Sequence, residues 1–568
     1  MSGPRRRSLR RQKGLSRRDF LKRAGAGAAV LGALPALTAC GDSSRAGGSG
    51  GGANLRFEHG VASGDPLPDR VILWTRVSGA NAPTTLDWVV ATDPALQSIV
   101  RSGVVLASEA GDYTAKVDAD GLLPGTTYYY RFNAGDAHSP IGRTRTAPQG
   151  ALERLRVGVV SCSSLAHGYF NAYRRLAERS DLDVILHLGD YIYEYGTGEY
   201  GSVRAYEPDH EILTKADYRQ RHAQYRRDAD LQELHRQFPM IAIWDDHETA
   251  DNSWRDGANN HTEGVEGLWA QRKADAVAVY HEWLPIRAPD ASNLERIYRS
   301  FRYGDLADFV MLDTRLIGRD LQASLVDAGS INDADRSLLG APQFAYLQAQ
   351  LGSTGARWKF LGQQIMFGQL RIPSLPELSV LTGLPVEQLQ ALLEGLPVVS
   401  TGGLIINADQ WDGYRAERAR VFDLLETLNI DNAVVLTGDI HTSWAMDLSR
   451  DPANPLVYNP LLGSGSLGVE FVCTSVTSPG LDQLNPLTPL LRLLNPHMKY
   501  VDLAQQGYMV LDITPERTQG EWWYVSTIAE SGGTESLGAS WQVRDGARHL
   551  TAGEGATQPP ASVPLPAP

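Results

Sequence analysis

Cysteine is scarce. Three residues in 568, Cys40, Cys162 and Cys473, are too few for a disulfide framework. Long apolar runs are also missing. The most apolar stretch near the start, Ala24 to Leu37, is rich in Ala and Gly and too short for a good membrane span. Basic charge is sparse outside the first residues. Of 53 Lys and Arg, ten lie within residues 1–39 against the single acid Asp19; the remaining 43 face 65 acidic residues, so the body carries −22. Such a surface is a poor general binder of nucleic acid, whose backbone needs cationic partners, but it suits bound metal cations. With 42% hydrophobic and 21% charged residues, the chain is neither disordered throughout nor fibrous, and it is long enough for several domains.

A basic region followed by a short apolar stretch reads as an export signal. Ser16-Arg17-Arg18-Asp19-Phe20-Leu21-Lys22 matches the full twin-arginine pattern, which implies the twin-arginine export machinery as a partner. Leu37-Thr38-Ala39-Cys40 resembles a lipoprotein processing box, with Cys40 as the lipidation site and membrane anchor. Ordinary cleavage near Ala39 would leave Cys40 without that role. Residues 1–39 are therefore expected to be a signal peptide and 40–54 a Gly- and Ser-rich flexible linker. The mature protein is expected on the periplasmic or extracellular face.

From residue 55 to 150 the pattern is all-β. RVILWTRV, LDWVVATD, YTAKVDA and TTYYYRFNA are short β-branched and aromatic runs punctuated by turn residues, as in a fibronectin-like β-sandwich. From residue 151 the pattern changes. LRVGVVS, DVILHLGD, MIAIWDD, DFVMLDT, WKFLGQQ and NAVVLTGD are apolar throughout and end in polar residues, as strands buried on both faces do. Helical stretches stand between them, at 169–179, 216–236 and 414–428. This alternation predicts an α/β layered domain over 151–550. VEFVCTS, GYMVLDITP, GEWWYVST and SWQVRDG add a β-rich end. The Pro- and Ala-rich residues 551–568 are expected to be disordered. Two leucine-rich stretches, 370–399 and 481–494, read either as helices packed on the core or as a lid over the site.

The chemistry lies at the ends of the apolar strands, where open α/β sheets bind ligands. Cys162 follows the first run. Asp190 and Tyr193 follow the second, Asp245, Asp246 and His247 the third, and Asp439 and His441 the last. Carboxylates gathered there would repel one another unless cations sat between them. Asp190 could bridge two metals, and Tyr193, three residues on, could bring its phenol to one of them. Thiolate and phenolate suit trivalent iron; oxygen-rich sets suit Ca²⁺. Each residue also has a plainer reading: Cys162 as a small core residue or a disulfide partner of Cys473, Asp190 and Tyr193 as turn and packing residues.

HGVASGDPLPDRVILWTR (59–76), HLGDYIYEY (187–195), WDDHE (244–248), DFVMLDTR (308–315), GQQ (362–364), NADQWDGY (407–414) and TGDIHTSW (437–444) together resemble the PhoD-like (alkaline phosphatase D) branch of the binuclear metallophosphoesterases. The resemblance runs in order over roughly 57–530. It implies a four-layer α/β/β/α calcineurin-like domain behind the sandwich. It implies an Fe(III) site of Cys162, Asp190, Tyr193 and His441, and a Ca²⁺-type site of Asp190, Asp246, Asp439 and Asn252. Many relatives carry Asn at the position of Asp246 and His at that of Asp439, which argues against zinc at the second site. His247 is expected to hydrogen-bond the developing oxyanion or to protonate the leaving oxygen. Arg315 and Gln364 are the expected substrate-binding residues, with a structural ion pair the equal reading for Arg315 and a place at the second metal the other reading for Gln364. The implied activity is hydrolysis of phosphomonoesters or phosphodiesters, small or lipid-borne, by metal-activated hydroxide. The rival reading is a non-catalytic Ca²⁺-binding surface lipoprotein.

Overall fold

The structure, a computed structural model, describes residues 54–324, 328–372 and 407–568, with a few isolated positions between. The signal-like residues 1–39, Cys40, most of the linker and most of the leucine-rich stretch 370–399 lie outside the described residues.

All six apolar runs form strands, and they divide three and three between two sheets. In the first sheet Leu155–Val160, Val184–His187 and Pro239–Ala242 lie side by side and parallel. In the second, Ala307–Met311, Trp358–Gly362 and Ala433–Thr437 are parallel and continue into Ser466–Val472. Every residue of the strands Leu155–Val160, Val184–His187 and Ala433–Thr437 is buried, which is why they show no alternation. The sheets face each other across one core in which Phe309 stacks on Phe360 at 4.7 Å and Phe471 meets Trp522 at 5.7 Å. Helices close the outside. Leu347 and Leu351 of Gly340–Ser353 and Val421, Phe422 and Leu425 of Arg415–Thr427 pack on the second sheet. The expected helix over 216–236 is two, Lys215–Arg226 and Ala229–Gln237, because the Asp228 carboxylate accepts from Asp230 and Leu231 N–H and starts a new helix.

The N-terminal sandwich is not closed on itself. Thr84–Ala91, Ile99–Ala107, Thr127–Ala134, Ala137–His138 and Gly142–Arg145 form one face. The facing strands Val61–Leu67, Arg70–Arg76 and Thr114–Ala119 are also the edge of the first sheet, through parallel pairing of Ser63 and Gly64 with Pro239 and Met240. The pairing needs glycine at position 64: a Cβ there would stand 2.5 Å from the Met240 carbonyl oxygen. The division near residue 150 is therefore a boundary in the chain, not in the sheet.

The C-terminal residues depart from expectation. Instead of being disordered, residues 551–568 run back across the molecule. Gln519 Nε2 donates to Gly555 O at 2.7 Å, Arg154 Nη2 to Gln558 O at 2.7 Å and Tyr129 Oη to Leu565 O at 2.6 Å. Gln237 pairs with Ala567 through both its amide atoms. Composition suggested disorder, but these backbone groups find partners on both the sandwich and the α/β part. Of the second leucine-rich stretch, Leu481, Leu484 and Leu491 pack on the second core and Leu494 is buried, as in a packed helix, while Leu487 and Leu493 stay exposed.

Each lost strap hydrogen bond is worth about 1 kcal/mol net. Removal of residues 556–568 is expected to lower stability by about 2–4 kcal/mol in chemical unfolding. An unchanged midpoint would show that the strap carries no load.

Candidate metal centre

Every strand end named from the sequence arrives at one place. Cys162, Asp190, Tyr193, Asp246, His247, Asp439 and His441 are all buried there. The turns that bring them are tight. Cys162, Asp190, Asn252, Asp439 and His441 all have φ between 50° and 60°, the left-handed region that non-glycine residues avoid. Each such residue costs about 1–2 kcal/mol, and strain of this kind collects at functional sites.

Among the described residues, three groups of ligand-type atoms lie within 4.8 Å of one another: Cys162–Asp190–His441, Asp190–Asp246–His247, and Asp245–Asp246–Asp439. Asp190 belongs to the first two and Asp246 to the last two, so the groups form a continuous row. In the first, Tyr193 Oη stands 2.9 Å from Asp190 Oδ2, 3.2 Å from His441 Nε2 and 2.6 Å from Ser478 Oγ. His441 Nδ1 points to the Pro479 carbonyl at 3.1 Å. A carbonyl can only accept, so Nδ1 carries the proton and Nε2 turns its lone pair to the site. Cys162 and Cys473 are both free thiols, so no disulfide joins them.

The electrostatics call for cations. Burial, then the charge of Asp190, pushes the Cys162 thiol and the Tyr193 phenol well above their usual ranges. Burial likewise drives Asp245 well above the carboxylate range, against the pull of Arg315. Two carboxylates 4.8 Å apart repel by roughly 3–4 kcal/mol at an effective dielectric near 20. One oxygen of this row, Asp245 Oδ2, is buried and accepts no hydrogen bond among the described residues. A metal ion would reverse all three effects: it ionises thiol and phenol and draws carboxylates together. The donor set therefore fits metal ions, with a sulfur-, phenol- and imidazole-containing end and an all-oxygen end.

His247 lies over the Tyr193 ring at 4.3 Å and bonds Glu194 through Nδ1 at 2.7 Å. Burial opposes its charge, but Glu194, Asp246 and Asp190 outweigh that and raise its pKa well above the usual imidazole value. Glu194 is itself held by Asp251 N–H at 2.8 Å and the Asn260 amide at 2.7 Å. Glu248 accepts from the N–H groups of Asp190, Tyr191 and Asp245, tying two ligand-bearing turns to one carboxylate. Asn252 reaches Asp246 through its backbone, donating its N–H to Oδ2 at 2.6 Å.

Two expectations are corrected. Gln364 does not face a substrate: its amide oxygen accepts from Thr314 N and Oγ1, and its nitrogen donates to the Trp244 and Leu312 carbonyls. Arg315 meets a carboxylate with each guanidinium nitrogen, which is the structural ion-pair reading in place of the substrate one. Nε donates to Asp245 at 2.5 Å, Nη1 to Asp409 at 2.9 Å and Nη2 to Asp439 at 2.7 Å. Glu194, Glu248, Asp409 and Ser478 were not singled out as site residues from the sequence, and Asp245 was placed at a strand end without a role. Glu194, Asp245, Glu248 and Asp409 lie inside the quoted motifs, and a carboxylate beside a ligand position was the signal for them. Ser478 carried none.

A buried, carboxylate-rich row shared by thiol, phenol and two imidazoles at the carboxyl ends of facing sheets is a candidate metal centre of the kind that hydrolytic enzymes use. Comparison with known proteins agrees. The family model described as PhoD-like phosphatase matches residues 157–522, and that of its N-terminal domain matches 43–148. The chain is 36% identical over 508 residues to alkaline phosphatase D of Bacillus subtilis (strain 168), covering 85% of this chain and 80% of that one. A solved structure of PhoD aligns with a TM-score of 0.77 at 35% identity, over 88% of this chain and 92% of the other. A purple acid phosphatase from yellow lupin (Lupinus luteus) seeds aligns with a TM-score of 0.51 at 13% identity, over 85% and 73%, which shows a shared fold. The chain belongs to the PhoD-like phosphatase family. It is a metal-binding phosphoric ester hydrolase of the alkaline phosphatase type, not a non-catalytic surface protein.

Gln364→Ala orphans two backbone carbonyls and the Thr314 donors, and such losses cost about 1–3 kcal/mol apiece. We expect a clear fall in the unfolding midpoint with KM within twofold of wild type. A rise in KM of tenfold in a fully stable variant would return Gln364 to the substrate.

Proposed function

We propose that this protein is an exported phosphoesterase that acts on phosphomonoesters and phosphodiesters outside the membrane with an Fe(III) and a Ca²⁺ ion. The observation that carries the reading is the convergence of Cys162, Tyr193 and His441 on one oxygen-bearing residue, Asp190. Thiolate and phenolate are donors for a trivalent, redox-capable metal and have no use in a structural Ca²⁺ site. Cys162, Asp190, Tyr193 and His441 would hold iron; Asp190, Asp246 and Asp439, with Asn252 beside them, would hold Ca²⁺.

When bound, the ions supply Lewis acidity toward the phosphoryl oxygens and lower the pKa of water. The chain's residues do the rest. Asp190, shared between two groups, sets the spacing at which a phosphoryl group can be held. His247, with Nδ1 committed to Glu194, has its other ring nitrogen to offer a phosphoryl or leaving-group oxygen. Its Nδ1 bond to Glu194 favours the protonated ring, which suits it to donate a proton to the leaving oxygen. Glu194, fixed by Asp251 and Asn260, keeps that ring in place.

Export follows from the twin-arginine pattern at 16–22 and anchoring from Cys40, both outside the described residues. With the anchor in the membrane, soluble phosphate esters are the favoured substrates over lipid-borne ones, since scavenging needs only a tethered enzyme facing the medium.

The test is hydrolysis of a chromogenic phosphomonoester and its matching phosphodiester, each with and without chelator and added Ca²⁺. Turnover that chelator abolishes and Ca²⁺ restores is expected; turnover indifferent to chelator would contradict the reading. Glu194→Gln is expected to lower kcat by about 10²-fold with KM nearly unchanged, in the range of a general acid's contribution. A variant that keeps full kcat would remove the His247–Glu194 pair from the mechanism.

A further inference from the structure

Arg315 lies at the centre of the oxygen-rich end of the row and is fully buried, as are Asp245, Asp246 and Asp439 around it. Its three guanidinium nitrogens each take a different carboxylate: Asp245 at 2.5 Å, Asp409 at 2.9 and 3.0 Å, and Asp439 at 2.7 Å, with Asp246 at 3.6 Å. Those carboxylates come from three separate places in the chain, after the strand Pro239–Ala242, before the turn at 411, and after the strand Ala433–Thr437.

The arginine is itself held from behind. The Asp313 carboxylate accepts from the N–H groups of Arg315, Leu316 and Ile317 and fixes that turn. Thr314 is clamped to Gln364. Asp409 is braced by Arg319 and by the Gln322 amide. The run Asp313-Thr314-Arg315 thus has each side chain spent on locking one guanidinium into place. A planar fork with fixed donors suits this task; an ammonium is a single point charge and does not.

We propose that Arg315 is a positioning residue for the second metal ion: its guanidinium holds Asp245 and Asp439 in a preformed cup and stands off from substrate. The proposal rests on the two-ion reading above and deepens it, since it assigns the shaping of the second position to a resident cation anchored on Asp409.

The role has a sign. A guanidinium that did no more than repel the incoming ion would, on removal, let Ca²⁺ bind more tightly. One that shapes the cup would, on removal, let it bind more weakly. One that clamped substrate would leave Ca²⁺ binding alone and raise KM.

The experiment uses the purified full-length protein as wild type, Arg315→Lys, Arg315→Gln and Asp409→Asn. Each is freed of Ca²⁺ with a Ca²⁺-selective chelator. Ca²⁺ binding is read by isothermal titration calorimetry, beside kcat and KM for a chromogenic phosphodiester at saturating Ca²⁺. We expect the Ca²⁺ Kd to weaken at least tenfold in Arg315→Gln and three- to tenfold in Asp409→Asn, with Arg315→Lys restoring only part. KM should stay within threefold throughout, and the visible absorption of the Cys162–Tyr193 end should not move. Tighter or unchanged Ca²⁺ binding in Arg315→Lys and Asp409→Asn would overturn the proposal. So would a tenfold rise in KM with Ca²⁺ binding intact, which would give the guanidinium to substrate. Should Arg315→Gln fail to fold, Arg315→Lys and Asp409→Asn decide the matter. A wild-type protein that binds no Ca²⁺ would instead refute the two-ion reading itself.

Discussion

Four carboxylates, Asp190, Asp245, Asp246 and Asp439, are buried together with no solvent to screen them. That crowding is the constraint on which the structure turns. Charges of one sign at such spacing are tolerable only if cations share the space. The protein supplies one cation of its own, Arg315, at the all-oxygen end. At the other end it supplies groups that become good ligands only when a metal ionises them, the Cys162 thiol and the Tyr193 phenol. The asymmetry of the site follows: a hard, charge-balanced end and a softer end that takes its charge from the ion it holds.

Holding such a site costs backbone energy. Five candidate residues are in left-handed conformations, and the turns that carry them would relax if left alone. The restraint comes from carboxylates and amides one step back. Glu248 gathers three N–H groups from two turns, Gln364 joins the turns after three strands, and Asp313 caps the turn that bears Arg315. The strands contribute too: because they are buried on both faces, their ends are placed by the whole core. The sandwich adds to the same frame, since its strands continue the first sheet and the C-terminal strap binds both parts.

The candidate ligands are the most legible part of the sequence. Apolar runs without alternation mark doubly buried strands, and a polar residue just past such a run has only one end of the sheet to reach. Cys162, Asp190, Asp246, Asp439 and His441 are therefore expected together, and the structure gathers them. The residues that support them were harder to read. Glu194 and Glu248 look like ordinary neighbours of ligands until the turns fold back. Arg315 and Gln364 invited a substrate role because a cation and an amide near a phosphate site commonly have one, yet their hydrogen bonds are all spent internally. The tail misled for another reason. A Pro- and Ala-rich composition reports what a segment can do alone, and it is silent on backbone partners elsewhere, such as Gln237 for Ala567. The break at Asp228 was missed because helical periodicity continues across it while the capping carboxylate restarts the helix.

The central claim is that sulfur from Cys162 and oxygen from Tyr193 bind one iron that Asp190 shares with a second ion. X-ray absorption at the iron edge on the purified, active protein tests it most directly. The account predicts stoichiometric iron with one sulfur scatterer in its first coordination sphere, lost in Cys162→Ser. Iron surrounded by oxygen and nitrogen alone in the wild-type protein, or active protein with no iron at all, would contradict it.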